Sequence, residues 1–506
     1  MINVKESPLS AQSNLRKPVV FACLLVLPFL FFLFFFLVIQ KNPLNFRLAF
    51  SDELDYWVEA ATLSKRGLFS PNAGYFGYSF GNYARFLYFG AHGFFSLIPY
   101  ALFGLVAPRT QAVVLVLNAL FMGIGFTSAY YLLGSFRKTL AIALPLFAFY
   151  PFYLYYQTGM VETLNYAVSV FLAVLCVKCF FSEPRQRGYL NLYFWLVIVF
   201  SLFRLSNFVL IIPALSLEIY LNKQKIFYTI LKYGVAAVSV ALLSIVFAAT
   251  YPWGFLGELG KSKGLLDLVF TNTLTNIKLF FDLKAGYALE LLPRFLYLSW
   301  LIFLCINYIA TKRHNTKVVN YFQFSQILAL LALLLLNITL YDIGSFRDLR
   351  VFSPILVFSM IAFFLSGQGK NSGKWALSLA LIFLLASNFV VFKERNLAWD
   401  LFIAKRYEAT SPSFILKDVR YNPDAKTRWE NSVYVDLQAY GELDWQNYDP
   451  GIGLMVLSQE EIDSLKSANP GSLLKAKYLI SSQPGNIAGY DMISEISHLS
   501  LYIKED

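Results

Sequence analysis

The sequence is poor in charged residues and lacks the cysteine pattern of a disulfide framework. Only 14% of its 506 residues are charged, whereas soluble domains carry about 25%. This deficit excludes a soluble enzyme. The CxxC spacing of Cys176 and Cys179 lacks a second ligand pair, so we expect no zinc site. No disulfides are expected, because all four cysteines lie inside apolar runs: Cys23, Cys176, Cys179 and Cys305.

Hydrophobic residues, by contrast, make up 57% of the chain. Apolar runs of the roughly 20 residues that cross a bilayer recur along most of the sequence. They are continuous rather than alternating, which predicts helices and not a membrane barrel. We therefore expect an α-helical polytopic membrane protein with about eleven transmembrane helices, at residues 18–39, 111–134, 139–156, 163–181, 189–203, 205–222, 226–250, 287–311, 320–341, 351–367 and 375–392.

The net charge of +11 is unevenly distributed along the chain. Residues 393–506 contain 12 Lys and Arg against 17 Asp and Glu, which leaves 30 against 14 for residues 1–392. The basic excess thus belongs to the membrane part, where cytoplasmic loops are rich in Lys and Arg and anionic lipid head groups attract them. We expect membrane lipids as partners and no nucleic acid.

The apolar stretch Phe86–Val106 decides the topology. If it does not cross the membrane, every basic loop cluster falls on the same side as Arg16 and Lys17, in agreement with the positive-inside rule. We interpret the stretch as a helix that lies along the outer interface or dips into it. The N-terminus is then cytoplasmic and the C-terminus extracytoplasmic, as in a multi-pass protein of a bacterial inner membrane. The basic clusters lie at residues 137–138, 185–187, 223–225, 312–317 and 370–374.

The composition changes near residue 393. Alternating polar and apolar residues predict strands at 432–437, 453–458 and 477–482, and Ser458 is a candidate cap for a following helix. We therefore divide the chain into a transmembrane domain, residues 1–392, with a first outer loop at 41–110 bearing interfacial helices, and a small extracytoplasmic α/β domain, residues 393–506.

Acidic residues mark two positions on the outer side. Directly after the first span, Asp52, Asp55 and Glu59 would share one face of a helix. This pattern fits either a capped interfacial helix or a site in which Asp52 is a general base or metal ligand. Glu162 lies where an outward span turns back, so it could face Asp52; it would also suit a helix N-terminus for electrostatic reasons alone.

Basic side chains provide candidates for binding a phosphate. Arg347 and Arg350 precede a late span, and a guanidinium can form forked hydrogen bonds to phosphate oxygens. Arg204 lies at another outer turn, and His92 lies in the interfacial stretch. The alternative for the arginines is that each anchors a helix end at the lipid interface.

Taken in order, these motifs resemble those of the GT-C superfamily, the integral membrane glycosyltransferases that use polyprenyl-phosphate sugars. Within it, the chain is most similar to protein O-mannosyltransferases and lipid A aminoarabinose transferases. His92 departs from the family pattern, since Gly93 and Phe94 stand where two prolines are usual. The matching positions are Asp52, Glu53, Tyr56 and Ala60 in the first outer loop, Leu102 to Gly104 at the end of the interfacial segment, Glu162, and Arg350 with Pro354.

The resemblance implies a reaction and a set of roles. Asp52 would accept the proton of an acceptor hydroxyl on a lipid, glycan or protein while that hydroxyl displaces polyprenyl phosphate with inversion. Arg350, with Arg347, would stabilise the leaving phosphate. Glu162 would orient the acceptor or, in a metal-using variant, which we do not favour, share a divalent cation with Asp52. We expect Glu53, Tyr56, His92 and Arg204 to bind substrate, and no metal or other cofactor to be required.

Two other classes of function remain open. A polysaccharide polymerase or ligase would act on lipid pyrophosphate donors, and such enzymes typically depend on Arg and His. A lipid or sugar flippase would carry polar groups through the bundle, but the charged residues within the spans lie near span ends, which disfavours it.

The topology can be tested with reporter fusions. Fusions after Lys138 and Lys317 should report the cytoplasm, and fusions after Lys393 should report the outside, because the basic loops stay on the cytoplasmic side. An outside signal at Lys138 would mean that Phe86–Val106 crosses the membrane, and the assignment of the acidic residues to the outer face would then be wrong.

Overall fold

A computed structural model describes most of the chain. The described residues are 12–46, 48, 51–66, 77–80, 83–86, 95–104, 112–182, 186–248, 264–281, 288–340, 352–367, 385–386, 388–389, 391–399, 403–407, 418–420, 422–436, 439, 452–457, 462–463, 465, 476–483, 485–496 and 499–505.

The described residues form mainly α-helices, as the apolar runs predict. In chain order they are α1 Gln12–Ile39, α2 Ser51–Arg66, α3 Ile98–Gly104, α4 Val113–Leu133, α5 Phe136–Ala148, α6 Tyr150–Tyr156, α7 Glu162–Phe181, α8 Gln186–Phe203, α9 Ile211–Leu221, α10 Ile226–Ala248, α11 Leu265–Phe281, α12 Ala288–Thr311, α13 Lys317–Leu340, α14 Phe352–Leu365, α15 Arg395–Trp399 and α16 Lys405–Tyr407.

Among the described residues, six helices are long and apolar enough to cross a membrane, and a bent pair would make seven. Their spans lie at Lys17–Ile39, Val113–Leu133, Glu162–Phe181, Lys223–Val246, Arg294–Thr311 and Lys317–Thr339. Several such helices in one chain suit a multi-pass membrane protein. Shorter apolar helical segments at Leu205–Leu221 and Phe352–Leu365 coincide with two further expected spans. The expected span 375–392 lies largely outside the described residues, and the total of about eleven stays a prediction.

Helix α7 lies at the centre of the bundle, where almost all its side chains are buried. It packs against α4, α8 and α14. A Cβ atom added to Gly125 of α4 would lie 3.0 Å from the backbone oxygen of Ala167 in α7. In the same way, a Cβ on Gly123 would lie 2.7 Å from the backbone oxygen of Leu25 in α1. Small residues therefore bring three helix backbones together, as is common between membrane helices.

A sharp bend leads the chain into the loop before α7. The axes of α5 and α6 differ by 79°. Phe149, between them, has an extended backbone, and Pro151 lies in the first turn of α6. Proline lacks an N–H group, but the first turn of a helix does not need one, so α6 can begin there in a new direction. The loop 157–161 that follows contributes to the candidate site.

The first outer loop differs from the expectation in one respect. Phe86 belongs to a strand rather than to an interfacial helix, and the described part of the stretch after it is a 3-10 turn at Phe95–Leu97 followed by a helix at Ile98–Gly104. That the stretch does not cross the membrane stays a prediction. Residues 87–94, which include His92, lie outside the described part of the chain.

A seven-stranded sheet combines the tail with the first outer loop. The three strands predicted from alternation are confirmed as β3 Ser432–Asp436, β4 Gly453–Leu457 and β5 Tyr478–Ser481. The strand order is β2-β1-β4-β3-β5-β7-β6. The four strands not predicted are β1 Gly77–Phe80, β2 Tyr83–Phe86, β6 Tyr490–Ile496 and β7 Leu499–Lys504.

The pairing across this sheet has a topological consequence. Strand β1 runs parallel to β4, with Gly77 opposite Met455 and Tyr78 opposite Val456. The first outer loop and the tail therefore lie on one side of any membrane that the bundle crosses. The sheet also crosses the expected domain boundary at residue 393. Of the helix expected after Ser458, only residues 462, 463 and 465 are described, and they are helical.

Candidate functional site

The acidic segment after the first span forms helix α2, as predicted. Its surroundings differ from those of a solvated interfacial helix, because Glu53 and Glu59 are both buried. Burial of a carboxylate is costly unless charges or hydrogen bonds compensate it. The side chains of Asp52 and Asp55 lie outside the described residues, so the predicted contact between Asp52 and Glu162 stays a prediction.

Glu53 joins three distant parts of the chain. Arg406 Nη1 donates to both carboxylate oxygens of Glu53 at 2.9 Å. The backbone N–H of Gly159, in the loop before α7, donates to Glu53 Oε1 at 2.6 Å. Both charged side chains are 0% exposed. Glu53 was predicted to bind substrate. Arg406 was not predicted, because it stands beside Lys405 in a segment whose sequence gives no sign of burial.

Aromatic rings complete the environment of Arg406. Its guanidinium carbon lies 5.7 Å from the centroid of the Phe46 ring, close enough for a cation–π contact. Next to it, Tyr407 contacts Phe36 at the end of α1 with the rings edge to face. Burial raises the pKa of Tyr407 well above its ordinary value. The phenol is therefore neutral at physiological pH, and Arg406 with Glu53 forms the charged pair here.

A second buried ion pair lies at the start of α7. Arg204 Nη1 donates to Glu162 Oε1 at 3.1 Å, and their side chains are 5% and 1% exposed. One turn further along α7, Asn207 Nδ2 donates to Asn165 Oδ1 at 3.1 Å. The sequence singled out Glu162 and Arg204 separately, and the structure brings them together. Arg204 thus contacts a protein carboxylate, whereas the sequence suggested a role in binding substrate.

A small crevice lies beside Glu53. Tyr56, which was predicted to bind substrate, lines it together with Tyr100 and Val161. The Tyr100 hydroxyl donates to Asn118 Oδ1 at 3.4 Å. Burial, and secondarily the charge of Glu162, raises the pKa of Tyr100 well above its ordinary value. The Tyr100 hydroxyl therefore keeps its proton at physiological pH.

Asn118 of α4 fixes the loop that connects these groups. Its Nδ2 donates to the carbonyl oxygens of Tyr156 and Thr158, at 2.9 and 2.8 Å. The loop then continues to Gly159, which binds Glu53, and to Glu162, which binds Arg204. The two ion pairs are thus attached to one short, buried segment of backbone.

Helix α14 reaches the same end of the bundle. It begins at Phe352, two residues after Arg350, and packs against α7. Ser353 lies beside Tyr166, which is one turn into α7 from Glu162. Arg347 and Arg350 themselves fall in residues 341–351, outside the described residues. Pro354 lies in the first turn of α14, as predicted.

No metal-binding group emerges in the described part of the chain. None of its His, Cys, Asp and Glu side chains cluster in threes at a spacing that could hold a metal ion. The independence of metal therefore stays a prediction, because the Asp52 side chain is outside that part.

No family model matches this sequence, and no match is found among the curated proteins. Any assignment of function therefore depends on the residues of this chain.

The buried ion pair at α7 can be tested against an exposed one. Replacing Arg204 by Gln leaves the Glu162 carboxylate buried without that charge, which should cost about 3–5 kcal/mol. In the control, Lys232 Nζ lies 2.9 Å from Glu218 with its side chain 40% exposed. Lys232→Gln should cost about 1 kcal/mol or less. Thermal unfolding in detergent measures both losses, and equal losses would contradict a special role for burial at Arg204.

Proposed function

We propose that the protein transfers a sugar from a polyprenyl-phosphate donor to an acceptor hydroxyl at the outer face of the membrane, with inversion at the anomeric carbon. The observation that supports the proposal is a contact between the two acidic regions of the chain, helix α2 and the loop before Glu162. Through Glu53 and Gly159, helix α2 is fastened to the loop that leads into Glu162. A general base must be held close to one geometry to be effective, and this attachment would provide it.

The contacts of Glu53 and Glu162 support a different role for each of the acidic residues. Both oxygens of Glu53 accept hydrogen bonds from Arg406, and one also accepts from Gly159. These contacts already occupy both oxygens of Glu53, which leaves them poorly placed to meet an acceptor hydroxyl. Glu162 is likewise paired with Arg204. We therefore assign proton acceptance to Asp52, structural fixation to Glu53, and orientation of the acceptor to Glu162.

In the proposed step, the acceptor oxygen forms a bond to the anomeric carbon while the bond from that carbon to the donor phosphate oxygen breaks. The hydroxyl proton passes to Asp52, and the electron pair of the broken bond leaves with polyprenyl phosphate. Negative charge develops on the phosphate, where fixed positive charge lowers the barrier. Because Arg204 is already paired with Glu162, Arg350 and Arg347 are the better candidates for this task.

The position of α14 is consistent with that assignment. It packs against α7, and Ser353 in its first turn lies beside Tyr166, four residues after Glu162. Tyr56 and Tyr100, which line the crevice beside Glu53, offer hydroxyl groups and ring faces of the kind that bind sugars.

The proposal predicts the effect of Asp52→Asn. The amide keeps the shape of the side chain but cannot accept a proton, so transfer should fall by roughly 10²- to 10⁴-fold while folding is preserved. Membranes containing each variant are supplied with radiolabelled polyprenyl-phosphate mannose or polyprenyl-phosphate glucose, and released polyprenyl phosphate is measured. Equal release by wild type and Asp52→Asn would exclude Asp52 as the base. If pyrophosphate-linked oligosaccharides are supplied instead, release of polyprenyl pyrophosphate from these donors alone would favour a polymerase or ligase.

Arg350 can be examined with the same donors. Arg350→Lys retains the charge and the interfacial anchoring but loses the forked geometry, so a phosphate clamp should lose activity and a simple anchor should not. Arg350→Ala should lower turnover on the order of 10²- to 10³-fold, as for removal of one oxyanion-hole donor. Turnover and donor affinity in nanodiscs measure both effects. Indistinguishable values in wild type and both variants would remove Arg350 from the site.

A further inference from the structure

The tail of the chain, residues 393–506, contacts the first outer loop at two separate places. We propose that Arg406 is a positioning residue, through which the tail holds helix α2 and thereby Asp52 in the geometry needed for transfer. This inference rests on the proposed function and adds to it a task for the tail, which would fix the first outer loop in place.

The first place is the ion pair with Glu53. The two residues are 353 positions apart in sequence, and neither side chain is exposed. A single nitrogen of Arg406 contacts both oxygens of the carboxylate. Moving α2 by even a small distance would separate two buried charges in a medium of low dielectric constant, which is costly. The pair therefore favours one position of the first turn of α2, where Asp52 precedes Glu53.

The second place is the sheet. Strand β1 of the first outer loop pairs with β4 of the tail, and β2 pairs with β1. The loop is thus held near its beginning by a side chain and near its middle by backbone hydrogen bonds. Both contacts come from parts of the chain that follow the last expected span, so they can form only when the tail is folded beside the first loop.

The Glu53 carboxylate also links helix α2 to the loop that precedes α7. Gly159, which donates to it, precedes Glu162 by three residues. A Cβ at position 159 would lie 2.5 Å from Leu48 Cδ2 and 3.3 Å from Glu53 Cβ, so a larger residue there would displace the Leu48 side chain and press against Glu53. Arg406, Glu53 and the loop before Glu162 therefore form one continuous contact, through which Arg406 acts on the reacting groups.

The kinetic test compares Arg406→Gln with Arg406→Lys and with Arg420→Gln, which removes an exposed arginine of the tail. Turnover of radiolabelled polyprenyl-phosphate mannose and polyprenyl-phosphate glucose is measured in nanodiscs. Misplacement of a base by about 1 Å can cost on the order of 10²-fold, so kcat should fall by that factor in Arg406→Gln. The donor KM should change by less than about threefold, because Arg406 does not bind the donor. Arg406→Lys should recover at least part of kcat, and Arg420→Gln should match wild type.

A second readout does not depend on activity. Hydrogen exchange of residues 51–66 should be faster in Arg406→Gln than in wild type, while exchange of residues 265–281, in α11, should be unchanged. If wild type turns over none of the donors, the proposed function fails, and exchange alone decides whether Arg406 holds α2. If Arg406→Gln does not fold, Arg406→Lys and Glu53→Gln are compared in the same two measurements.

Three results would overturn the inference. One is wild-type kcat and wild-type exchange in Arg406→Gln. Another is a fall in kcat/KM due mainly to a higher KM, which would make Arg406 a donor-binding residue. The third is a loss of activity that matches the loss of folded protein, with unchanged turnover per folded molecule, which would make its role purely structural.

Discussion

The structure depends on the pairing of a carboxylate and a guanidinium that have both left water. Glu53 and Arg406 are fully buried, and neither charge would be stable there without the other. Because the two residues lie so far apart in sequence, their pairing requires the first outer loop, the loop before α7 and the tail to assemble at one end of the helix bundle. The arrangement of the candidate site follows from that requirement.

Helix α7 provides the framework on which this end is built. Gly125 lets α4 approach its backbone closely, and Asn118, also on α4, fixes the loop that precedes it. At its first residue, Glu162 pairs with Arg204 out of contact with solvent. The Lys232 and Glu218 pair, which joins α9 to α10, is only partly buried. The two buried ion pairs, Glu53 with Arg406 and Glu162 with Arg204, thus lie at the candidate site, where they hold its elements in one position.

The sequence allowed part of this arrangement to be predicted. Continuous apolar runs indicated the long helices, and alternation indicated β3, β4 and β5, since these patterns are local. The hairpin of β1 and β2 was missed although Gly81 and Asn82 form a two-residue turn signal between Phe80 and Tyr83. Glu162 and Arg204 were each recognised by residue type and position. Their pairing, and the role of Arg406, depend on tertiary contacts that no local pattern encodes.

The burial of Glu53 also bears on the meaning of the adjacent acidic residues at the start of α2. A pair such as Asp52 and Glu53 could be read as two equivalent acids, yet their tasks in a site would conflict. A carboxylate that accepts three hydrogen bonds in a buried contact stabilises the fold, and its oxygens are poorly placed to meet an acceptor hydroxyl. A general base needs the opposite, namely a lone pair directed at substrate. Assigning the first task to Glu53 leaves the second to Asp52, and rigid fixation of one residue is what would make its neighbour effective.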